Sequence, residues 1–221
     1  MTLRLVVFDV DGTLVDSQSA IIGAMRAAFA ACDLPAPMDS DTLSIVGLSL
    51  DIAIARLRPD LPAPIIARLV AAYKDSFSTN RQLSTMPLYP GALDVVTQLH
   101  EQEATLLGIA TGKSRRGLDH LMTLHDMQRF FVTTQVADNH PSKPHPSMLH
   151  ATLRETGADG GIMIGDTTYD MDMARAAGFT AIGVSWGYHR AEHLHAAGAH
   201  VVIDAFDALP GALARLWEVP A

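Results

Sequence analysis

From Pro87 onward, short apolar runs alternate with stretches of helical spacing, and that alternation leaves few folds open. Residues 104–110, 130–134, 161–164, 180–185 and 201–203 have the length and apolar character of buried strands. Residues 91–102, 114–125, 147–156, 169–177 and 206–217 read as helices. Strands alternating with helices of this length build βαβ units, which set the strands parallel and cover both faces of the sheet. A further strand-like run, residues 3–8, opens the chain and ends in Asp9-Val10-Asp11-Gly12-Thr13.

The stretch that follows, residues 17–85, carries no strand signal. Ile22, Met25, Phe29 and Cys32 fall at helical spacing until Pro35 and Pro37 interrupt. A second pattern runs through Leu43, Val46, Leu50, Ile54 and Leu57, and a third through Ile66, Leu69, Tyr73 and Phe77. The predicted class is therefore α/β: a doubly wound, Rossmann-like parallel sheet core from residues 1–16 and 86–221, with a helical domain, 17–85, inserted after the first strand. Ligands of open α/β sheets bind at the carboxyl ends of strands. An insertion at that place lies over the site as a lid.

Composition supports a folded chain. At 221 residues it can bury roughly 70% of its unfolded surface. The single cysteine, Cys32, excludes a disulfide framework and multi-cysteine metal sites, and its apolar helix stripe makes it core packing. No apolar run reaches the ~18 residues of a membrane span, and Asp9 comes too early for a signal-peptide apolar region. A cytoplasmic protein is expected. The net charge of −8, with no basic stripe, argues against a nucleic-acid partner.

The strand ends carry the chemistry. The first ends in Asp9 and Asp11, the 104–110 strand in Thr111-Gly112-Lys113, and the 161–164 strand in Gly165-Asp166, with Asp170 one helical turn beyond. Lys143 sits among prolines after the 130–134 segment. If these ends converge, four carboxylates share one crevice and repel one another unless a cation joins them. An oxygen-only donor set favours magnesium. A lysine and a hydroxyl beside magnesium suit a phosphoryl group, and a carboxylate can act as its nucleophile. Magnesium-assisted phosphoryl transfer follows from the residues alone.

Asp9-Val10-Asp11-Gly12-Thr13-Leu14-Val15-Asp16-Ser17 resembles the first motif of the haloacid dehalogenase-like hydrolases. Thr111 resembles their second motif, Lys143 in Lys-Pro-His-Pro the third, and Gly165-Asp166-Thr167-Thr168-Tyr169-Asp170 the fourth. Tyr89-Pro90-Gly91, Thr111-Gly112-Lys113-Ser114 and Trp186-Gly187-Tyr188 look like the phosphoglycolate phosphatase-like branch with a helical cap. The resemblance implies that Asp9 attacks phosphorus and that Asp11 serves as acid and then base. It implies that Thr111, Gly112 and Lys143 hold the phosphate, that Asp9, Asp11 (through its backbone carbonyl) and Asp166 hold Mg2+, and that Asp170, behind them, orients Lys143 or a metal-bound water. The expected reaction is hydrolysis of a small, phosphoglycolate-like phosphomonoester through an aspartyl-phosphate, by a monomer or homodimer. A sugar-phosphate phosphomutase, a pyrophosphatase and a non-catalytic phosphate-binding module are the competing readings. Asp11 disfavours dehalogenation, because dehalogenases resembling this chain lack an acid there.

Other residues draw blander expectations. Lys113 with Arg115-Arg116 reads as a solvated helix start, since Leu107 stands where a P-loop needs glycine. His189, His193 and His195 read as surface histidines, His145 as a loop residue and Trp217 as packing. In the cap, Arg56 and Arg58 are candidates for a substrate carboxylate, Lys74 is the only lysine, and Gly47 either allows a close backbone approach or starts a helix.

Overall fold

The computed structural model describes residues 3–79 and 86–218. The strands among them are β1 (Arg4–Phe8), β2 (Thr105–Thr111), β3 (Thr133–Val136), β4 (Gly161–Gly165), β5 (Thr180–Val184) and β6 (Val201–Ile203). All pair in parallel in the order β3-β2-β1-β4-β5-β6. The helices are α1 (Gln18–Ala31), α2 (Asp39–Ser44), α3 (Leu50–Leu57), α4 (Ala63–Thr79), α5 (Ala92–His100), α6 (Arg115–Leu124), α7 (Ser147–Thr156), α8 (Thr168–Ala177), α9 (Ala191–Ala197) and α10 (Leu209–Glu218). This is the doubly wound order, in which the chain reverses direction across the sheet between β1 and β4. The α/β class expected from the sequence is the one observed.

Alternation along the central strand sorts its side chains between two cores. Val6 and Phe8 pack with Leu107, Ile109 and Ile164 under α5, α6 and α10, while Leu5 and Val7 pack with Met163 and Ala181 under α7, α8 and α9. Residues 5–8 are all inaccessible to solvent, as a strand covered on both faces must be. A third cluster joins α1, α3 and α4 through Met25, Phe29, Ile54, Ile66 and Leu69, and Tyr169 from the start of α8 completes it. Cys32 packs against this cluster and Trp217 against the first core, both as expected. No helix among the described residues is long and apolar enough to cross a membrane.

Two elements depart from the sequence reading. The expected strand at 130–134 begins later, at Thr133, because Phe130 and Phe131 are drawn into the core from a 3-10 turn, with Phe130 set edge-on to His100. The second helical pattern of the 17–85 stretch divides into α2 and α3. Gly47, at φ +97°, breaks the helix there, and the Ser49 N–H donates to Ser142 Oγ at 2.9 Å. The turn at 45–49 thereby reaches the carboxyl edge of the sheet. The outer limit of the helical stretch, expected at residue 85, lies outside the described residues.

Candidate active site

Asp9 leaves the end of β1 with its N–H donated to the Ile164 carbonyl at 2.9 Å, which fixes it at the β1–β4 seam. The chain then turns sharply, Gly12 donating to the Val15 carbonyl at 2.9 Å. Gly12 has φ +81°, and a Cβ there would stand 2.3 Å from Asp166 Oδ2, so both conformation and space demand glycine. That turn brings Thr13 Oγ1 to donate to Asp166 Oδ1 at 3.0 Å. From the other side, the Tyr188 N–H donates to Asp166 Oδ2 at 2.8 Å.

Lys143 lies at the bottom of the crevice with its side chain inaccessible to solvent. Its Nζ donates to Asp9 Oδ1 at 2.7 Å and to Asp170 Oδ1 at 2.6 Å. The other oxygen of Asp170 closes a capping box at the start of α8, accepting from Thr167 N–H at 3.1 Å and Thr167 Oγ1 at 2.7 Å. Asp170 is thus fully engaged in holding Lys143. Burial alone would lower the Lys143 pKa, but the Asp170 and Asp9 charges outweigh it and hold the ammonium above its ordinary value. Burial pushes Asp9 up to about 7 against the pull of Lys143, with Asp170 and Asp11 adding repulsion. Burial, then the charges of Asp9 and Asp170, raise Asp166 well above the usual carboxylate range.

Carboxylates raised this far are what a cation site looks like to its own ligands. Asp9 Oδ2 is buried with no hydrogen-bond partner. Asp9, Asp166 and Asp170 each offer an oxygen within 4.8 Å of the others. With Asp170 committed to the Lys143 ammonium and Thr167, Asp9 offers its unpartnered Oδ2, and Asp166, which accepts only from the neutral Thr13 hydroxyl and Tyr188 N–H, keeps further lone pairs to donate. An oxygen-only set of this kind fits a hard divalent cation.

Asp11 sits higher in the crevice. Its Oδ2 pairs with Lys113 Nζ at 2.8 Å, and its Oδ1 is buried without a partner. Thr111 is buried at the end of β2 and accepts the Lys113 N–H at 3.2 Å, so its hydroxyl proton is free to donate. Asp9, Asp11, Thr111 and Gly112 line a cavity of about 840 Å³ that extends beneath α1, α3 and α4.

The family model of the haloacid dehalogenase-like hydrolases matches residues 6–184. The chain belongs to that family. It is 33% identical over 224 residues to a Dickeya dadantii protein named "Probable phosphatase IndB", covering 97% of this chain and 95% of that one. It is 29% identical over 222 residues to the phosphoglycolate phosphatase of Mesorhizobium japonicum, covering 97% and 96%. A solved hydrolase from Pseudomonas syringae superposes with a TM-score of 0.86 at 24% identity, over 98% of this chain and 99% of that one, and so shares the fold.

All seven residues singled out by the sequence for this hydrolase meet at one end of the sheet: Asp9, Asp11, Thr111, Gly112, Lys143, Asp166 and Asp170. Three residues given no role also belong there. Thr13 and the Tyr188 backbone hold Asp166, and Lys113 pairs with Asp11 instead of standing in solvent. The presence of Thr13 and Tyr188 inside quoted motifs was the available signal; Lys113 needed the contact from Asp11 to be seen. Arg115 is part-exposed at the start of α6, as expected, and its guanidinium also donates to Thr134 Oγ1 and the Thr134 carbonyl at 2.8 and 2.6 Å. Arg116 is exposed. His193, His195 and His145 are exposed as expected. His189 is not a plain surface residue: it is half-buried, accepts the Thr168 N–H at 3.1 Å through Nδ1, and places Nε2 3.2 Å from the Ser44 carbonyl. That leaves Nε2 as the protonated nitrogen. Arg58 pairs with Asp60 at 2.9 and 2.8 Å and Arg56 lies over the Tyr169 ring, so neither cap arginine lines the cavity.

Gly112 lies against the backbone of the 45–49 turn. A Cβ on Gly112 would stand 2.4 Å from the Gly47 carbonyl oxygen and 2.7 Å from that of Leu48. Close backbone approach is therefore the role of Gly112, whereas a Cβ on Gly47 would meet Thr167 Oγ1 at 3.2 Å and it is the φ of +97° that asks for glycine there. Gly112→Ala is expected to displace the 45–49 turn and cost about 1–3 kcal/mol, as overpacking does. Chemical denaturation reads the loss, and faster amide hydrogen exchange confined to 45–49 locates it.

Proposed function

We propose that this hydrolase is a magnesium-dependent phosphatase acting on a small-molecule phosphomonoester through an aspartyl-phosphate on Asp9. The observation that carries the reading is the buried Asp9, tied to Lys143 at 2.7 Å through one oxygen and left without a partner at the other. A carboxylate so held is oriented, desolvated and kept from pairing fully with its lysine, as a nucleophile must be. In this reading residues 17–85 form a cap over a core of 1–16 and 86–221, with the 45–49 turn at the mouth.

Asp9, the backbone carbonyl of Asp11 and Asp166 would hold the magnesium. Bound there, it neutralises the crowded carboxylates and the charge of the phosphoryl group. Asp9 attacks phosphorus, the ester P–O bond breaks, and Asp11 gives its proton to the departing alkoxide through Oδ1, the oxygen without a partner. Lys113, on the other oxygen of Asp11, keeps that side chain aimed into the crevice. Thr111 and Lys143 donate to the phosphoryl oxygens, with Gly112 lining the cavity beside them. Asp11 then takes a proton from water, which attacks the aspartyl-phosphate, releasing phosphate and restoring Asp9.

The test is phosphate release from a panel of phosphomonoesters, including phosphoglycolate, sugar phosphates and nucleotides, with pyrophosphate alongside. Each is assayed in magnesium and in EDTA. Magnesium-dependent release from one or more monoesters is expected. Conversion of one sugar phosphate isomer into another without release would establish a mutase instead, and no turnover of any compound would overturn the reading.

A further inference from the structure

We propose that the cavity selects phosphomonoesters whose alcohol carries a bulky apolar body of about the size of an aromatic ring. This deepens the phosphatase reading and rests on it. The whole cavity that Asp9 and Asp11 line measures about 840 Å³, within the roughly 300–1,000 Å³ of sites that hold drug-sized ligands. A two-carbon alcohol leaves most of it unfilled.

The walls specify what fills it. Ile21 and Met25 of α1, Ile45 after α2, Leu50 of α3, and Tyr73 and Phe77 of α4 line the part of the cavity that these helices form. Tyr73 and Phe77, one helical turn apart, stack at 5.6 Å with their planes 20° apart and present an aromatic wall. Of the charged residues on α1–α4, Lys74 alone lines the cavity, and it is exposed. The cap arginines that a substrate carboxylate would need are turned elsewhere, onto Asp60 and the Tyr169 ring. Lys113, Arg115 and Arg116 line the cavity from the core, with Lys113 paired to Asp11 and Arg115 bonded to Thr134, but against the α1–α4 walls a carboxylate on the alcohol would meet mostly apolar side chains, at a cost. An apolar body loses water on the same surface and gains.

The decisive comparison is kcat/KM for 2-phenylethyl phosphate against ethyl phosphate, two primary esters with similar leaving groups that differ in the body alone. Enclosing the ring is expected to favour the phenylethyl ester about 10- to 100-fold, with phosphoglycolate no better than ethyl phosphate. Phe77→Ala is expected to reduce that ratio several-fold. Because both constants come from one sample, the ratio does not depend on how much of the variant is folded. A ratio near one with both esters hydrolysed overturns the inference and leaves the phosphatase reading standing, and so does a ratio unmoved by Phe77→Ala. Hydrolysis of no ester overturns the phosphatase reading; calorimetry with 2-phenylethylphosphonate and ethylphosphonate then decides the cavity's preference. At least 10-fold tighter binding of the first supports it, and equal affinity overturns it.

Discussion

Asp9→Asn abolishes phosphate release, lowering kcat about 10⁴-fold or more, while the protein stays folded. Asparagine matches the shape of aspartate and can still accept from Lys143, yet its amide neither attacks phosphorus nor forms an acyl phosphate. The folded protein has a second reason to tolerate the change. In EDTA the wild-type Asp9 keeps its proton up to about pH 7, whereas in the unfolded chain it releases it near 3.8. Between those values the folded state binds the extra proton, so this group's contribution to stability falls as the pH rises from about 4 to about 7. Asn at position 9 removes that contribution. The unfolding midpoint of the variant in EDTA is therefore expected to decline less steeply across this window than that of the wild type. Turnover near the wild-type rate would exclude Asp9 as nucleophile. A variant that loses cooperative unfolding would make Asp9 a structural residue first.

The site was legible in the sequence because a parallel sheet does the assembling. Once 104–110 and 161–164 are strands parallel to 3–8, the residues just past each must emerge on the same edge, and Thr111, Asp166 and Asp9 do so. Asp170 follows from helical geometry, one turn into α8. Periodicity has no comparable hold on how α1–α4 meet that edge. Among the described residues, several of the contacts that dock them use backbone atoms: the Tyr169 hydroxyl and His189 Nε2 on the Ser44 carbonyl, Ser49 N–H on Ser142, and Gly112 against the Gly47 carbonyl. A carbonyl oxygen has no side-chain signature, so His189 reads as surface and the break at Gly47 as continuous helix. Lys113 illustrates the same limit. Its place in the first turn region before α6 suggests solvent, and only the carboxylate of Asp11, over a hundred residues earlier in the chain, turns it inward.

Lys143→Met costs both activity and stability, and a second substitution separates the two. The side chain is enclosed and its ammonium is the shared partner of Asp9 and Asp170. Methionine fills much of the same volume but removes the cation shared by Asp9 and Asp170, so that Asp9 must hold a proton or, well above pH 7, face Asp170 as a like charge in a buried place. Removing one partner from such an arrangement costs about 3–5 kcal/mol, which for a chain of this size lowers the unfolding temperature by roughly 10 °C. Thr167 still holds one oxygen of Asp170 through its N–H and hydroxyl, so the larger share of the loss falls on Asp9. Activity falls about 10³-fold, since the phosphoryl oxygens lose a charged donor and Asp9 its orientation. If the stability cost is electrostatic, adding Asp9→Asn to Lys143→Met in EDTA at a pH well above 7, where Asp9 would otherwise be charged, removes one of the two facing charges and recovers several degrees of the unfolding temperature. It is expected to recover no activity, because the carboxylate proposed as nucleophile is gone as well. Were the double variant as unstable as Lys143→Met alone, the cost would lie in the lost packing of the lysine chain, and the ammonium bridge between Asp9 and Asp170 would not be what holds this end of the sheet together.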